Sequence, residues 1–354
     1  MGLSKMALDL EKARLIEASE IRDPSILAVI VLYRMDPSQA PAVRSLLASV
    51  SAPAQGYQQP KILLYDNAPS GEIHPPFPSF VHYHSATCNG GLAGAYNYAL
   101  RVAESEGYEW LFILDQDSRV PDSILHRLSE LTKRLEKDNQ VVAIVPQLKD
   151  DAHSVSPSYV GLWRPMSIPK EFSGVPEREV TALNSATTWR VSYLLEIGGF
   201  DTRFWLDYLD HTLHRCAFRA GKRVYVAGDI LVEHELSTID LDARMSSVRF
   251  ENLLLAESAF ADLYKTPLER VMLILRWGRE CCRYIQRGDD PLFVRAMVKA
   301  MLRRLFRSRR HRLALWERSV DQWCCSTESE RQQGFDNLGS HQNSSSRTVG
   351  SLHP

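Results

Sequence analysis

Five apolar runs of strand length punctuate the first 145 residues of this chain: Ile26–Tyr33, Lys61–Tyr65, Phe80–Tyr83, Trp110–Leu114 and Val141–Val145. Between most of them lie stretches of helical length, Pro37–Val50 entered near Pro41, Gly90–Glu104 and Ser123–Lys137. This alternation predicts an α/β fold, a doubly wound and mostly parallel sheet with right-handed crossovers. Ligands of such sheets gather at the C-terminal ends of the strands. Here those ends carry Tyr33-Arg34, Asp66-Asn67 and Asp115-Gln116-Asp117, all polar and all directly after an apolar run.

Asp115 and Asp117 place two carboxylates at the rim of the sheet, separated by one residue. Mg2+ and Mn2+ prefer oxygen ligands and take several from a nucleotide diphosphate, so one or two protein carboxylates suffice. Taken alone, the pair is equally a solvated turn after a strand. A nicotinamide-binding domain requires Gly-x-Gly-x-x-Gly after the first strand, whereas Arg34-Met35-Asp36-Pro37 stands there. The cluster Asn89-Gly90-Gly91-Leu92-Ala93-Gly94-Ala95 has another spacing. Its small residues suit either close backbone approach to a phosphate or sugar oxygen, or close packing of a helix on the sheet.

In the second half, Gly198-Gly199-Phe200-Asp201 marks a turn, and Asp207 is expected to begin an amphipathic helix. At about 100° per residue, Asp207, Asp210, His211 and His214 share one face, with Leu206, Leu209, Leu213 and Ala217 opposite. That face is open to three readings: a solvated stripe, a di-His and di-Asp metal site, or a single carboxylate base, for which Asp210 at the polar–apolar border is best placed. The short strand expected over Val224–Ala227 leads through Gly228-Asp229 to Ile230–His234. A lone histidine there is more often structural, yet its imidazole could complete a metal shell begun by Asp117.

At 354 residues, 44% hydrophobic and 24% charged, the composition is that of a globular protein with one large domain or two smaller ones. A net charge of −1 names no partner. Six cysteines without a Cys-x-x-Cys pair fit reduced thiols in the cytoplasm. The N-terminus lacks the apolar core of a signal peptide, and no apolar run approaches the roughly 20 residues of a membrane span. The expected organisation is an N-terminal extension over 1–25, a main domain over 26–240, a helical region over 241–325 and a disordered polar tail over 326–354.

Together these residues resemble family 2 glycosyltransferases. Val31-Leu32-Tyr33-Arg34, Asp66-Asn67, Asn89 through Asn97, Asp115-Gln116-Asp117-Ser118, Gly198-Gly199-Phe200-Asp201 and Asp207-Tyr208-Leu209-Asp210-His211 follow in the family's order. Within the family the chain is similar to the bacterial rhamnosyltransferase-like branch. The resemblance covers residues 26 to about 265 and implies a GT-A fold, a divalent cation and inverting transfer from a nucleotide sugar. It assigns Asp66 to the nucleobase, Asp115 to the ribose or a diphosphate-bound metal, Asp117 to the metal and Asp210 to the catalytic base. His234 would lie near the metal and diphosphate. Tyr33, Arg34, Asn67, Asn89, Gly91, Ala93, Asn97, Asp207 and His211 would surround the nucleotide sugar. Leu209 stands where the wider family often has an acid, and Cys216 where an arginine often follows the base.

The implied donor is dTDP-rhamnose, with UDP-hexose or UDP-galactofuranose as alternatives. The acceptor would be a glycan or lipid-linked glycan of a bacterial surface polysaccharide such as O-antigen. A non-catalytic nucleotide- or glycan-binding module is the reading from a different class. After Asp240 the sequence predicts helices over Ser247–Tyr264, Leu268–Tyr284 and Pro291 to about Trp316. Residues 291–320 hold nine Lys or Arg and one acid, with Arg295, Lys299, Arg303 and Arg307 recurring every four residues. Leu292, Val294, Met297, Val298, Met301, Leu302, Leu305 and Phe306 fill the remaining surface. The segment suits either an interfacial helix on acidic lipid, which would make the protein peripheral on the inner membrane face, or a helix packed on the main domain with a solvated basic edge. Nucleic-acid binding has no interleaved aromatics to support it.

Overall fold

The computed structural model describes residues 25–51, 60–68, 77–150, 153–234, 246–288 and 290–321. The tail expected over 326–354, and all but Ser25 of the expected N-terminal extension, lie outside the described residues. The sheet starts from β1 (Ile26–Leu32), β2 (Lys61–Asp66), β3 (Val81–Ser85) and β4 (Trp110–Asp115), parallel and ordered β3, β2, β1, β4. Beyond β4 the chain adds β5 (Ser118–Arg119), β6 (Val141–Asp150), β7 (Thr188–Arg190) and β8 (Arg223–His234). β7 lies between β4 and β6, antiparallel to both, and β8 runs parallel along β6. The parallel alternation read from the sequence therefore holds, with one reversed strand at the centre.

The helices are α1 (Pro41–Ser51), α2 (Gly91–Glu106), α3 (Ile124–Leu135), α4 (Val191–Glu196), α5 (Leu209–Arg219), α6 (Ser247–Tyr264), α7 (Pro267–Arg287) and α8 (Pro291–Phe306), followed by α9 over residues 309–321. β1 explains how the layers form. Leu27, Val29 and Val31 pack with the alanines of α2, while Ala28, Ile30 and Leu32 pack with Val43 and Leu46 of α1 and Leu125 and Leu128 of α3. Both faces of the strand are covered, which is why its sequence is an unbroken apolar run. Each large side chain buried this way contributes about 1.5–3 kcal/mol.

Residues 153–190, which carry no readable sequence pattern, form small pieces. His153–Ser156 pairs with β6, and Ser158–Tyr159, Met166–Ser167 and Val180–Thr181 make a separate three-stranded sheet. The glycine cluster resolves toward packing. Gly91 has φ +66°, and a Cβ there would meet the Trp205 carbonyl oxygen at 2.3 Å. The Ala93 amide donates to that same oxygen at 3.2 Å. The close approach is to the backbone that leads into α5.

The C-terminal helices have a core of their own, including Phe250, Leu254, Leu273, Trp277, Phe293 and Met297. Met297, expected on the surface, is inside. The single helix expected from Pro291 to about Trp316 is two. α8 ends at Phe306, Arg307 is extended, and Ser308 Oγ accepts the His311 amide at 3.3 Å to open α9. The break serves anchorage: Arg304 and Arg312 converge on buried Asp262 at 3.2 and 2.8 Å, and Trp316 packs on Phe204 with ring centroids 4.7 Å apart. No described helix is long and apolar enough to cross a membrane.

Candidate active site

Two strand ends assemble the acidic centre. β4 delivers Asp115, and the turn after it delivers Asp117 and Ser118. β5 then pairs antiparallel with the end of β8, in a register that sets His234 opposite Ser118. Ligand atoms of Asp115, Asp117 and His234 lie within 4.8 Å of one another. His234, read alone as a structural histidine, is thus brought 3.4 Å from the Asp117 carboxylate.

The centre is braced from below by two serines. The Asp115 amide donates to Ser185 Oγ at 3.1 Å, Ser185 Oγ lies 2.5 Å from Ser118 Oγ, and Ser118 Oγ lies 2.8 Å from His234 Nδ1. Tyr96 of α2 donates its hydroxyl to Asp115 Oδ1 at 3.0 Å. Burial, and then the charge of Asp115, hold the Tyr96 phenol protonated for that purpose. Asp115 is pushed up to about 6, first by desolvation and then by Asp117 and Asp210, against the opposing pull of His234 and Tyr96.

Two carboxylates and an imidazole at this separation fit a divalent cation of the Mg2+ or Mn2+ type. The serine contact on Nδ1 is the kind of outer partner that fixes the ring of a ligating histidine. Sequence reading named the three groups that converge here, but not the bracing by Ser118 and Ser185.

Asp210 stands in the first turn of α5. The helix starts at Leu209, two residues later than expected, because Tyr208 adopts the left-handed conformation at φ 64°. Asp210 Oδ1 accepts the amide of His211 at 2.7 Å. Among the described residues nothing hydrogen-bonds to its other oxygen. The charge of Asp210 is felt by both Asp115 and Tyr96.

The face expected to carry four polar groups divides. Asp207 lies before the helix and is held by the Arg249 guanidinium, with one contact at 2.7 Å. His211 Nδ1 lies 2.6 Å from Thr181 Oγ1. His214 is not on the polar face: it is buried at 1% exposure against Trp189, ring centroids 5.0 Å apart. This removes the di-His reading of the helix.

Neither ring nitrogen of His214 has a hydrogen-bond partner among the described residues, and burial lowers its pKa from 6.5 to about 3. A depressed imidazole contributes stability that is present above the unfolded value of 6.5 and is lost as pH falls toward 3. From pH 7 to pH 5 the loss from this group is about 2 kcal/mol. His214→Leu is expected to flatten that slope, which urea melts of both proteins at the two pH values would check.

The other residues that the resemblance sets around a nucleotide sugar are found at the ends of β1 and β2 and in or just before α2. Asp66 accepts the Tyr83 hydroxyl at 2.7 Å and the Ala68 amide at 2.9 Å. Asn67 donates to the Gly91 carbonyl at 3.1 Å, and Asn89 Oδ1 accepts the Gly91 amide at 3.0 Å. Tyr33 donates its amide to Gln116 Oε1 at 2.8 Å, tying the end of β1 to the acidic turn, and Arg34 lies over its ring. Asn97 is spent elsewhere: its amide pairs with both backbone groups of Phe200 at 2.8 Å. Gly199 beside it has φ +86°, and a Cβ there would meet Asn97 Oδ1 at 2.5 Å. Along α5, a cleft of about 120 Å³ is lined by Trp163, Arg164, Thr181, His211, Phe260 and Lys265.

Residues 28–182 match the model of glycosyl transferase family 2. The family 2 match begins in β1 and contains Asp66, Asp115, Asp117 and Ser118, whereas Ser185, Asp210 and His234 lie beyond it. No curated protein matches the chain. Among solved structures, S. aureus TarS 1-349 in complex with UDP is similar at 14% identity and TM-score 0.50, over 87% of this chain and 92% of that one. GalNAc-T7 with UDP, GalNAc and Mn2+ is similar at 14% identity and TM-score 0.50, over 70% of this chain and only 50% of its own length. These likenesses establish the fold: a mixed α/β architecture of the GT-A glycosyltransferase type with added C-terminal helices.

Proposed function

We propose that this chain is an inverting glycosyltransferase that moves one sugar from a nucleotide sugar to a hydroxyl of a glycan or lipid-linked glycan. The observation that carries the reading is the convergence of Asp115, Asp117 and His234, with the charge of Asp210 reaching the same centre. A nucleotide- or glycan-binding module has no need of a base beside a metal centre. The ligands named for GalNAc-T7, a nucleotide diphosphate and Mn2+, match the chemistry of this donor set.

The steps follow from the residues present. Asp210 takes the proton of the acceptor hydroxyl as its oxygen attacks the anomeric carbon. The bond from that carbon to the nucleoside diphosphate breaks in the same displacement, so the anomeric centre inverts. Asp115, Asp117 and His234 would hold the divalent cation, which when bound neutralises charge on the departing diphosphate. Asp66 and Asn67, at the end of β2, are assigned to the nucleotide, and the cleft beside His211 to the acceptor.

For the sugar we infer L-rhamnose from dTDP-rhamnose, in bacterial surface polysaccharide synthesis at the cytoplasmic side. The similarity of the run Asp207-Tyr208-Leu209-Asp210 to the rhamnosyltransferase-like branch supports this, and here Asp207 serves by clamping Arg249. The experiment is a donor screen with purified protein, Mg2+ or Mn2+, and lipid-linked acceptors, offering dTDP-rhamnose, UDP-hexoses and UDP-galactofuranose. The expected result is metal-dependent consumption of dTDP-rhamnose and a product of inverted anomeric configuration by NMR. Turnover of a UDP-sugar instead would reassign the donor, and a retained configuration would sink the single displacement. Binding of donors without any turnover would favour the binding module.

A further inference from the structure

The C-terminal helices carry a surface that sugar transfer does not use. On α8, Leu292, Val298, Leu302, Leu305 and Phe306 are exposed, Phe306 to 77%. Arg295, Lys299 and Arg307 are exposed with them. At about 100° per residue, Arg295, Val298, Lys299, Leu302, Leu305 and Phe306 fall on one side of the helix. Phe293, Ala296, Met297 and Ala300 fill the buried side.

Apolar and cationic groups are therefore interleaved on the outer face. The break after Phe306 adds to this. Arg307, Arg309, Arg310 and His311 are all exposed around the corner, so cations surround an apolar tip. A groove of about 1020 Å³ runs beside that face between α8 and the start of α6. Its one acid, Glu251, pairs with Lys299 at 3.2 Å. Among the described residues no ion pair involves Arg295, Arg303, Arg307, Arg309 or Arg310.

We propose that this face docks the protein on an anionic lipid bilayer. Leu302, Leu305 and Phe306 enter the acyl boundary while Arg295, Arg307, Arg309 and Arg310 meet acidic headgroups. Charge selects the occupant. A second copy would bring the same uncompensated cations to the interface and be repelled, whereas an acidic membrane surface complements the arginines and accepts the apolar tip. The proposal does not depend on which donor the centre takes, because its test reads binding alone.

That test is flotation of the full chain with vesicles of phosphatidylcholine, with and without phosphatidylglycerol. A basic residue close to an acidic surface is worth about fivefold in binding. The wild-type chain is expected to float with the phosphatidylglycerol vesicles and to bind pure phosphatidylcholine at least about tenfold more weakly. Arg295→Glu/Arg307→Glu should lose at least about tenfold on the acidic vesicles. Leu302→Ser/Phe306→Ser, with every cation kept, should lose binding as well. All four side chains are exposed, and unchanged melting temperatures would show that the fold survives. Equal binding to both vesicle types, or wild-type binding by either variant, would overturn the proposal. So would a dimer in sedimentation that Leu302→Ser/Phe306→Ser disperses, which would give the face to a second copy.

Discussion

Asp210→Asn is expected to lower kcat by about 10²- to 10⁴-fold while leaving donor affinity within a few-fold of wild type. The substitution isolates the base. Asn keeps an oxygen where Oδ1 accepts the His211 amide at 2.7 Å, so the first turn of α5 stays closed and the fold is preserved. What disappears is the capacity to hold a proton taken from the acceptor hydroxyl, a barrier contribution of about 3–5 kcal/mol at that rate scale. Steady-state kinetics separate the outcomes. A fall in kcat at constant donor KM supports the base, and a rise in KM at constant kcat would make Asp210 a binding group. Near-normal turnover would remove it from the reaction. Asp210 is one of the charges that raise Asp115, so the variant should also ease ionisation of Asp115.

The sequence disclosed the parts whose signals are local. β1 is an unbroken apolar run because both its faces are covered, and Asp115-x-Asp117 stands out because two carboxylates end such a strand. The glycine cluster was visible, but its partner was not. Gly91 is needed by the carbonyl of Trp205, 114 residues away, and no spacing rule connects them. β7 escaped notice because Thr188–Arg190 is only three residues long, too short to show an alternation. Tyr208 begins α5 in the left-handed region without the glycine that normally announces it. His214 obeys the helical period of the polar face yet is buried, because the neighbouring strand presents Trp189 to it. The end of α8 was hidden by a run of arginines compatible with continued helix, and Ser308 caps the next one. For Gly91 and His214, what the sequence does not show is the tertiary partner.

Asp117→Ala is expected to weaken Mn2+ binding at least about 100-fold and to abolish turnover with it, since loss of an outer partner alone costs metal sites about 10- to 100-fold. Ser118→Ala, which removes the contacts on His234 Nδ1 and Ser185 Oγ but none of the three candidate ligands, should show that smaller loss. Thermal melting gives a readout free of catalysis. At 100 times its Kd, Mn2+ should stabilise the wild type by about 2.7 kcal/mol, a rise of about 5 °C in Tm. The effect should depend on pH with a definite sign. Asp115 is raised from 3.8 to about 6, so its contribution to stability is present below 3.8 and is lost as pH climbs through 6. The cation requires the ionised carboxylate, so the Mn2+ shift should be large at pH 7 and shrink below about 6 as protons compete. An equal shift in wild type and Asp117→Ala would place the cation elsewhere. A shift that grows toward acid would show that the carboxylates are not its ligands.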